Sequence, residues 1–247
     1  MNKPIIGITT RDDFKNGKAI YKINKKIIKK VVNNGGIPIL IPPIGNIEEE
    51  VYSRLLKILN ICSGFIIPGG NTWNLNDEII IKYALNKDIP LLGICAGMQA
   101  IANLNNFCGT IDSDQTVIIT SNINHNIDDK KYVHDILIKK GLLFDILHTS
   151  KIKVNSRHKS TIKIENFFNI DAISNDNTVE AIHIPKKKFI LGLQWHPEDL
   201  DDENSQKIFQ SFIESAKNLW YNLKEPRMFS KGFFIFLGGR VWQSMSL

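Results

Sequence analysis

The stretch Asp88–Gln99 (DIPLLGICAGMQ) restricts the possible folds of this chain more than any other. Ile89–Ile94 is a short, continuous apolar run, the pattern of a strand buried on both faces inside a parallel sheet. The run stops at Cys95, and Ala96–Ala102 then reads as the start of a helix rich in small and straight-chain residues. Gly93 and Gly97 stand two residues to either side of the cysteine. That spacing is the layout of a nucleophile elbow, where the chain turns from strand to helix too sharply to accept Cβ atoms beside the nucleophile. A thiol there faces the positive end of a helix dipole and its free N–H groups, which favour the thiolate. A buried core cysteine is the competing reading, and this stretch alone does not separate the two.

The flanking sequence repeats the strand–helix theme. Pro4–Thr10 reads as a strand, and Ala19–Asn34 as a helix with Ile20, Ile23, Ile27, Ile28, Val31 and Val32 on its apolar side, ended by Gly35-Gly36. Strands follow at Ile37–Ile41, Ser63–Ile67 and Ile89–Ile94, separated by helices at Glu48–Leu59 and Asn76–Asn86. Alternation at this spacing predicts a parallel sheet with helices on both faces. Ligands of such sheets bind beyond the carboxyl ends of the strands, where both Gly69-Gly70 and Cys95 fall. Further on, Val117–Thr120, Asp135–Lys139, Lys151–Asn155, Asp171–Ser174 and Val179–Ile184 are short and broken by polar residues, as antiparallel strands are. Leu142–Leu147 reads as a turn or two of helix, Phe189–Trp195 as a further buried strand running straight into His196, and Ser205–Leu219 as a closing amphipathic helix. The expected class is α/β: a mostly parallel central sheet with helices on both faces, plus a smaller antiparallel sheet in the second half. Residues 1–220 form the domain. Residues 221–247 change in composition toward Phe, Gly and Trp, and read as an extra strand, a partner-binding extension or a stretch foreign to the fold.

Composition narrows the function classes. At 247 residues the core needs no staples. Three cysteines, Cys62, Cys95 and Cys108, give neither a disulfide framework nor zinc-like spacing, which suits a reducing cytoplasm. No signal segment and no membrane-spanning run is expected. The net charge of +6 comes mostly from lysines interleaved with Ile and Asn, without an aromatic stacking motif, so a solvated basic surface is expected rather than a nucleic-acid site.

His196-Pro197-Glu198 carries a base and an acid two positions apart at the end of a strand. In extended backbone both point to one side, so Glu198 can hold one ring nitrogen while the other takes a proton from a nucleophile. Pro197 stiffens the pair. If Cys95 attacks a carbonyl, the resulting oxyanion needs backbone donors, for which the N–H groups of Ala96 and Gly70 are the natural candidates. The remaining histidines, His125, His134, His148, His158 and His183, lack such a context, and most are expected to be structural. A metal held by Cys95, His196 and Glu198 is a poor alternative, since nothing supplies a further ligand; no metal or other cofactor is expected.

PGG (Pro68–Gly70), GICAGMQ (Gly93–Gln99) and LQWHPE (Leu193–Glu198), in this order and at these separations, resemble the class I glutamine amidotransferase superfamily over roughly Pro4 to Leu219, which has a flavodoxin-like fold. VNSRHKS (Val154–Ser160) and VEAI (Val179–Ile182) make the chain similar to the branch of free-standing γ-glutamyl hydrolases, including those acting on γ-glutamyl-γ-aminobutyrate. The resemblance implies a Cys95–His196–Glu198 triad, oxyanion donors at Gly70 and Ala96, and substrate contacts at Gln99, Ser156, Arg157 and His158. It implies cysteine-dependent hydrolysis of a γ-glutamyl amide, with a small-molecule γ-glutamyl substrate and a homodimer as the candidate assembly. A glutaminase subunit serving a separate synthetase is the alternative, and a non-catalytic binding protein on the same fold a third. The chain departs from the γ-aminobutyrate hydrolases at Ala96, where they usually carry arginine, and at His158-Lys159, where they carry two histidines. It also has a shorter loop after Gly70. The expected amine half of the substrate therefore ranges over a polyamine-derived γ-glutamyl amide, a γ-glutamyl phosphoramidate and glutamine itself.

Overall fold

The computed structural model describes residues 3–43, 49–103, 116–118, 123–129, 131–222, 235–237 and 240–242. The chain begins with β1 (Ile5–Thr9), the hairpin β2 (Arg11–Lys15) and β3 (Lys18–Lys22), α1 (Lys25–Asn33) and β4 (Ile37–Ile41). There follow α2 (Glu49–Ile61), β5 (Gly64–Ile67), α3 (Leu75–Lys87), β6 (Leu91–Ile94) and α4 (Ala96–Ala102). Short strands dominate the second half: β7 (Thr116–Ile118), β8 (Asn126–Ile127) and β9 (His134–Ile138), then α5 (Leu142–Leu147), β10 (Lys151–Val154), β11 (Ser156–Arg157), β12 (Ser160–Ile162), β13 (Asn169–Ser174), β14 (Val179–His183) and β15 (Ile190–Leu193). The long α6 (Glu203–Asn222) follows, and β16 (Ile235–Leu237) pairs with β17 (Arg240–Trp242) in the tail. Residues 119–120, the end of the expected strand Val117–Thr120, and Cys108 lie outside the described residues.

One nine-stranded sheet runs in the order β10-β9-β13-β14-β15-β6-β5-β1-β4. From β15 to β4 every pairing is parallel. Taken in chain order, these five strands lie 2-1-3-4-5, the flavodoxin-like arrangement, whose strand order reverses between β1 and β5. The α/β class therefore stands. The antiparallel strands of the second half mostly extend this same sheet beyond β15; its separate antiparallel pieces among the described residues are two-stranded ribbons, β8 with β11, β7 with β12 and β16 with β17.

Each face of the sheet carries its own core. Ile66, Leu92 and Ile94 meet Ile27 and Val31 of α1 and Phe209, Phe212 and Ile213 of α6. Phe65, Ile67 and Leu91, one residue out of step along the same strands, meet Leu55 and Leu59 of α2, Ile80 of α3 and Met98 and Ile101 of α4. This is the period-2 alternation of a pleated strand covered on both sides, and it explains why β5 and β6 are apolar throughout.

Two sequence expectations are corrected. The helix predicted over Ala19–Asn34 begins only at Lys25, because 11–22 is a hairpin. Its turn is Asn16-Gly17, with φ of 53° and 74°, the left-handed pair that a two-residue hairpin loop requires. Asn24 then caps α1 by accepting from the Lys26 N–H at 3.0 Å. Ile20, counted on the helical stripe, is instead exposed on β3. At its other end α1 closes as expected: Gly35 at φ 89° and the bonds Gly36 N–H to Val31 O and Gly35 N–H to Val32 O form a Schellman cap. The second correction concerns β15, which stops at Leu193 rather than continuing through Trp195 into His196.

Candidate active site

Cys95 sits between the last residue of β6 and the first of α4 with φ 51° and ψ −105°, a conformation most non-glycine residues avoid and one typical of functional turns. The flanking glycines make the turn fit. A Cβ on Gly93 would stand 2.6 Å from the carbonyl oxygen of Gly97, and one on Gly97 would collide with the backbone of Ile67 on β5. The Cys95 N–H bonds Leu193 O at 2.7 Å, fastening the elbow to β15.

The next strand brings the imidazole. Beyond β15 the chain turns at His196, and Pro197–Asp199 forms one 3-10 turn. The expected same-side geometry of extended backbone is therefore not what joins the pair; the tight turn carries Glu198 back, and its Oε1 lies 2.8 Å from His196 Nδ1. Asn155, next after β10, fixes the position of His196. Its Nδ2 donates to His196 O and its Oδ1 accepts from His196 N–H, both at 2.8 Å. The ring's other nitrogen is left for the Cys95 sulfur, with which the ring interacts electrostatically. Burial disfavours the charged ring, yet the facing Glu198 carboxylate and the Cys95 sulfur push the His196 pKa up to about 10. By contrast, Cys62, buried just after α2, has its pKa pushed up to about 12 by burial, and its sulfur bonds the backbone oxygen of Ile58. The two thiols differ in environment, not in chemistry.

Gly69, at the tip of β5, lies against this pair: a Cβ there would stand 2.6 Å from His196 Cε1 and 3.4 Å from Cys95 Cβ. Gly70 follows, packed beside the Arg11 side chain. Arg11 itself is held by Asp77 at 2.7 Å and Pro68 O at 2.6 Å. A cavity of about 290 Å³ opens beside the site, lined by Arg11, Lys22, Pro68, Gly69, Arg157, His196, Glu198 and Asp199 among others. It lies beyond the carboxyl ends of β1, β5 and β15, where a sheet of this order binds ligands. Arg157 pairs with Asp199, and together with Asn24 and Lys26 holds that carboxylate against burial at a pKa of about 2.

Of the remaining site expectations, Gln99 is linked to the sulfur indirectly. Its Nε2 donates to Gln194 Oε1 and to Ser160 O, both at 3.2 Å, and Gln194 Nε2 lies 3.6 Å from Cys95 Sγ. Arg157 lines the cavity, whereas its neighbours Ser156 and His158 do not; both are buried among His125, His134 and Glu180. Sequence reasoning passed over Gln194, Asn155 and Arg11. Gln194 carried a signal, since it stands inside LQWHPE. Asn155 stands likewise inside VNSRHKS, whereas Arg11 carried none, its partners Pro68 and Asp77 being 57 and 66 positions away.

The geometry resembles known proteins at both sequence and fold level. A glutamine amidotransferase-like protein of Rickettsia prowazekii is 28% identical, the match covering 87% of this chain and 98% of that one. The γ-glutamyl-γ-aminobutyrate hydrolase PuuD of Escherichia coli is 25% identical, covering 88% and 95%. A CTP synthase of Lactobacillus helveticus is 30% identical over 70% of this chain but only 37% of its own length. Among solved structures, a GMP synthase subunit from Thermoplasma acidophilum matches with a TM-score of 0.62 at 19% identity, covering 91% of this chain and all of that one. Residues 73–198, half of the chain and the part that contains Cys95, His196 and Glu198, match the Peptidase C26 family, and with the class I glutamine amidotransferase-like fold this places the chain in that family.

Proposed function

We propose that the protein hydrolyses a γ-glutamyl amide bond through a thioester on Cys95, releasing glutamate and a free amine. The observation that carries the reading is the bond from His196 Nδ1 to Glu198 Oε1 at 2.8 Å, which leaves the other ring nitrogen for a cysteine in an elbow. Glu198 holds the imidazole in one orientation and stabilises its charge. The Cys95 sulfur, its proton passed to His196, attacks the γ-carbonyl carbon. The N–H groups of Ala96 and Gly70 receive the oxyanion, each such donor contributing roughly 2.7–4 kcal/mol to lowering the barrier. His196 returns the proton to the departing amine as the C–N bond breaks, then takes one from water, whose oxygen attacks the thioester carbon and frees glutamate. The similarity to PuuD over nearly the whole of both chains supports the hydrolytic outcome.

A panel of γ-glutamyl amides, anionic leaving amines included, assayed for glutamate release tests this reading. Turnover that vanishes in Cys95→Ala supports it; undiminished turnover in that variant removes Cys95 from the chemistry. The similarity to a CTP synthase over 70% of this chain favours a second reading, in which glutamine is the substrate and ammonia passes to a separate synthetase. Glutaminase activity that appears only when such a partner is added would select it.

A further inference from the structure

We infer that His125, His134, His158 and Glu180 form a binding site for one divalent transition-metal ion of the zinc type. The four residues come from four places in the chain: His125 just before β8, His134 at the start of β9, His158 just after β11, and Glu180 within β14. All four are buried, Glu180 completely, and one ligand atom from each lies within 4.8 Å of every other.

The hydrogen bonds around the cluster decide which atoms face inward. His134 Nδ1 lies 3.3 Å from Asp135 O, His158 Nδ1 3.2 Å from Ser160 O, and His125 Nε2 2.9 Å from Asp176 Oδ2. Each partner is an acceptor, so each of these outer nitrogens is the one that carries the proton. A neutral imidazole has one proton, so the opposite nitrogens, His134 Nε2, His158 Nε2 and His125 Nδ1, present lone pairs. They lie 3.4, 3.6 and 3.4 Å from Glu180 Oε1. Among the described residues, both Glu180 oxygens, His134 Nε2 and His158 Nε2 are buried without a hydrogen-bond partner; His125 Nδ1 has the Ser156 hydroxyl at 3.2 Å, which also reaches His125 O at 2.8 Å.

Three lone pairs facing a carboxylate in a sealed space repel one another unless the rings take up protons or a cation lies between them, and a metal ion satisfies all four groups at once. The spacing suits one. Zinc bonds of about 2.0–2.1 Å in a tetrahedron put neighbouring ligand atoms about 3.3–3.4 Å apart, close to the three separations seen here. The outward bonds to carbonyls and a carboxylate are the partners that metal-ligating histidines ordinarily have. Four protein ligands leave no open position, so the site is structural: it ties the β8–β11 ribbon to β9 and β14 of the main sheet, with Arg157 of the cavity wall directly before one of the ligands. It is independent of the hydrolytic reading, since Cys95, His196 and Glu198 are not part of it.

The test uses the full chain without a histidine tag, stripped with a chelator and then titrated with Co²⁺ and Zn²⁺. The inference requires uptake of one equivalent with a Kd at or below about 1 µM, the visible absorption of tetrahedral Co²⁺, its loss on adding Zn²⁺, and a rise in Tm on loading. Glu180→Gln and His134→Gln weaken uptake at least about 100-fold, while Cys95→Ala leaves it unchanged. If the stripped wild-type chain takes up neither ion, the inference is overturned and the cluster is an ion network of protonated histidines around Glu180. Uptake that survives in both ligand variants, or that disappears with Cys95→Ala, overturns it equally. The wild-type titration decides even where a variant fails to fold.

Discussion

Two places in this molecule set histidine against a buried glutamate, and they differ in how the carboxylate is engaged. At His196 a single ring nitrogen meets Glu198 at 2.8 Å, within hydrogen-bond distance, and the ring keeps 14% of its side-chain surface exposed beside a cavity. At Glu180 three rings converge from 3.4 to 3.6 Å, none in a good hydrogen bond, and no side chain is more than 6% exposed. The first arrangement suits proton transfer: one acceptor, one orientation, access to a reacting molecule. The second suits an ion held away from solvent. Residue type alone does not separate the two roles; the number of ring nitrogens around one carboxylate and the access to solvent do.

The largest effect that would sharpen this contrast comes from Cys95→Ala. On the proposed mechanism it lowers glutamate release by about 10⁴- to 10⁶-fold and leaves Co²⁺ uptake untouched, measured on the same preparation; a variant that loses both would show the two places to be one site. Glu198→Gln removes the negative charge facing His196 Nδ1 and offers an amide donor in place of one carboxylate oxygen, which disturbs the ring's tautomer and is expected to lower kcat by about 10⁴-fold with little change in KM, whereas the matching change Glu180→Gln leaves kcat within about tenfold.

Gly69→Ala probes how closely the open site is packed. The added methyl would stand 2.6 Å from His196 Cε1, and displacing the ring is expected to reduce kcat by about 100-fold, with far-UV circular dichroism unchanged. The smallest effect is on stability. The His196 pKa is raised to about 10 by Glu198 and the Cys95 sulfur, so the stabilisation from its proton is complete below about pH 6.5 and is lost as pH rises toward 10. Tm should therefore fall across that window in the wild type and fall less steeply in His196→Gln, measured by calorimetry at matched ionic strength. Asp199, held near pKa 2 by Arg157, acts oppositely: its contribution is present above about pH 3.8 and is lost only as pH drops toward 2.

Periodicity made the sheet legible where burial is two-sided. β5 and β6 are apolar at every position except glycines because both faces are covered, and the elbow glycines Gly93 and Gly97 were visible because no other residue fits beside the turn. Periodicity misled at Ile20 and Ile23, whose spacing imitates a helix while the Asn16-Gly17 turn, a purely local signal, folds a hairpin. Glu198 was named for an extended backbone and reaches His196 through a 3-10 turn instead. The histidine cluster was out of reach for another reason: its four residues are separated by 9, 24 and 22 positions, a pattern with no local period, and only the pairing of β8 with β11 and of β13 with β9 and β14 draws them together.

By itself the sequence determined what is local in the chain: which stretches alternate, where glycine is obligatory, and where Cys95, His196 and Glu198 stand relative to strand ends. Backbone sterics and side-chain burial act over a few residues, and a sequence displays them directly. Tertiary structure decided what depends on distant pairing: the clamp of Asn155 on His196, the approach of Arg11 to Gly70, and the convergence of three imidazoles on Glu180. These contacts are set by which strands lie side by side, a choice made by the summed packing of both faces of the sheet and not by any single segment.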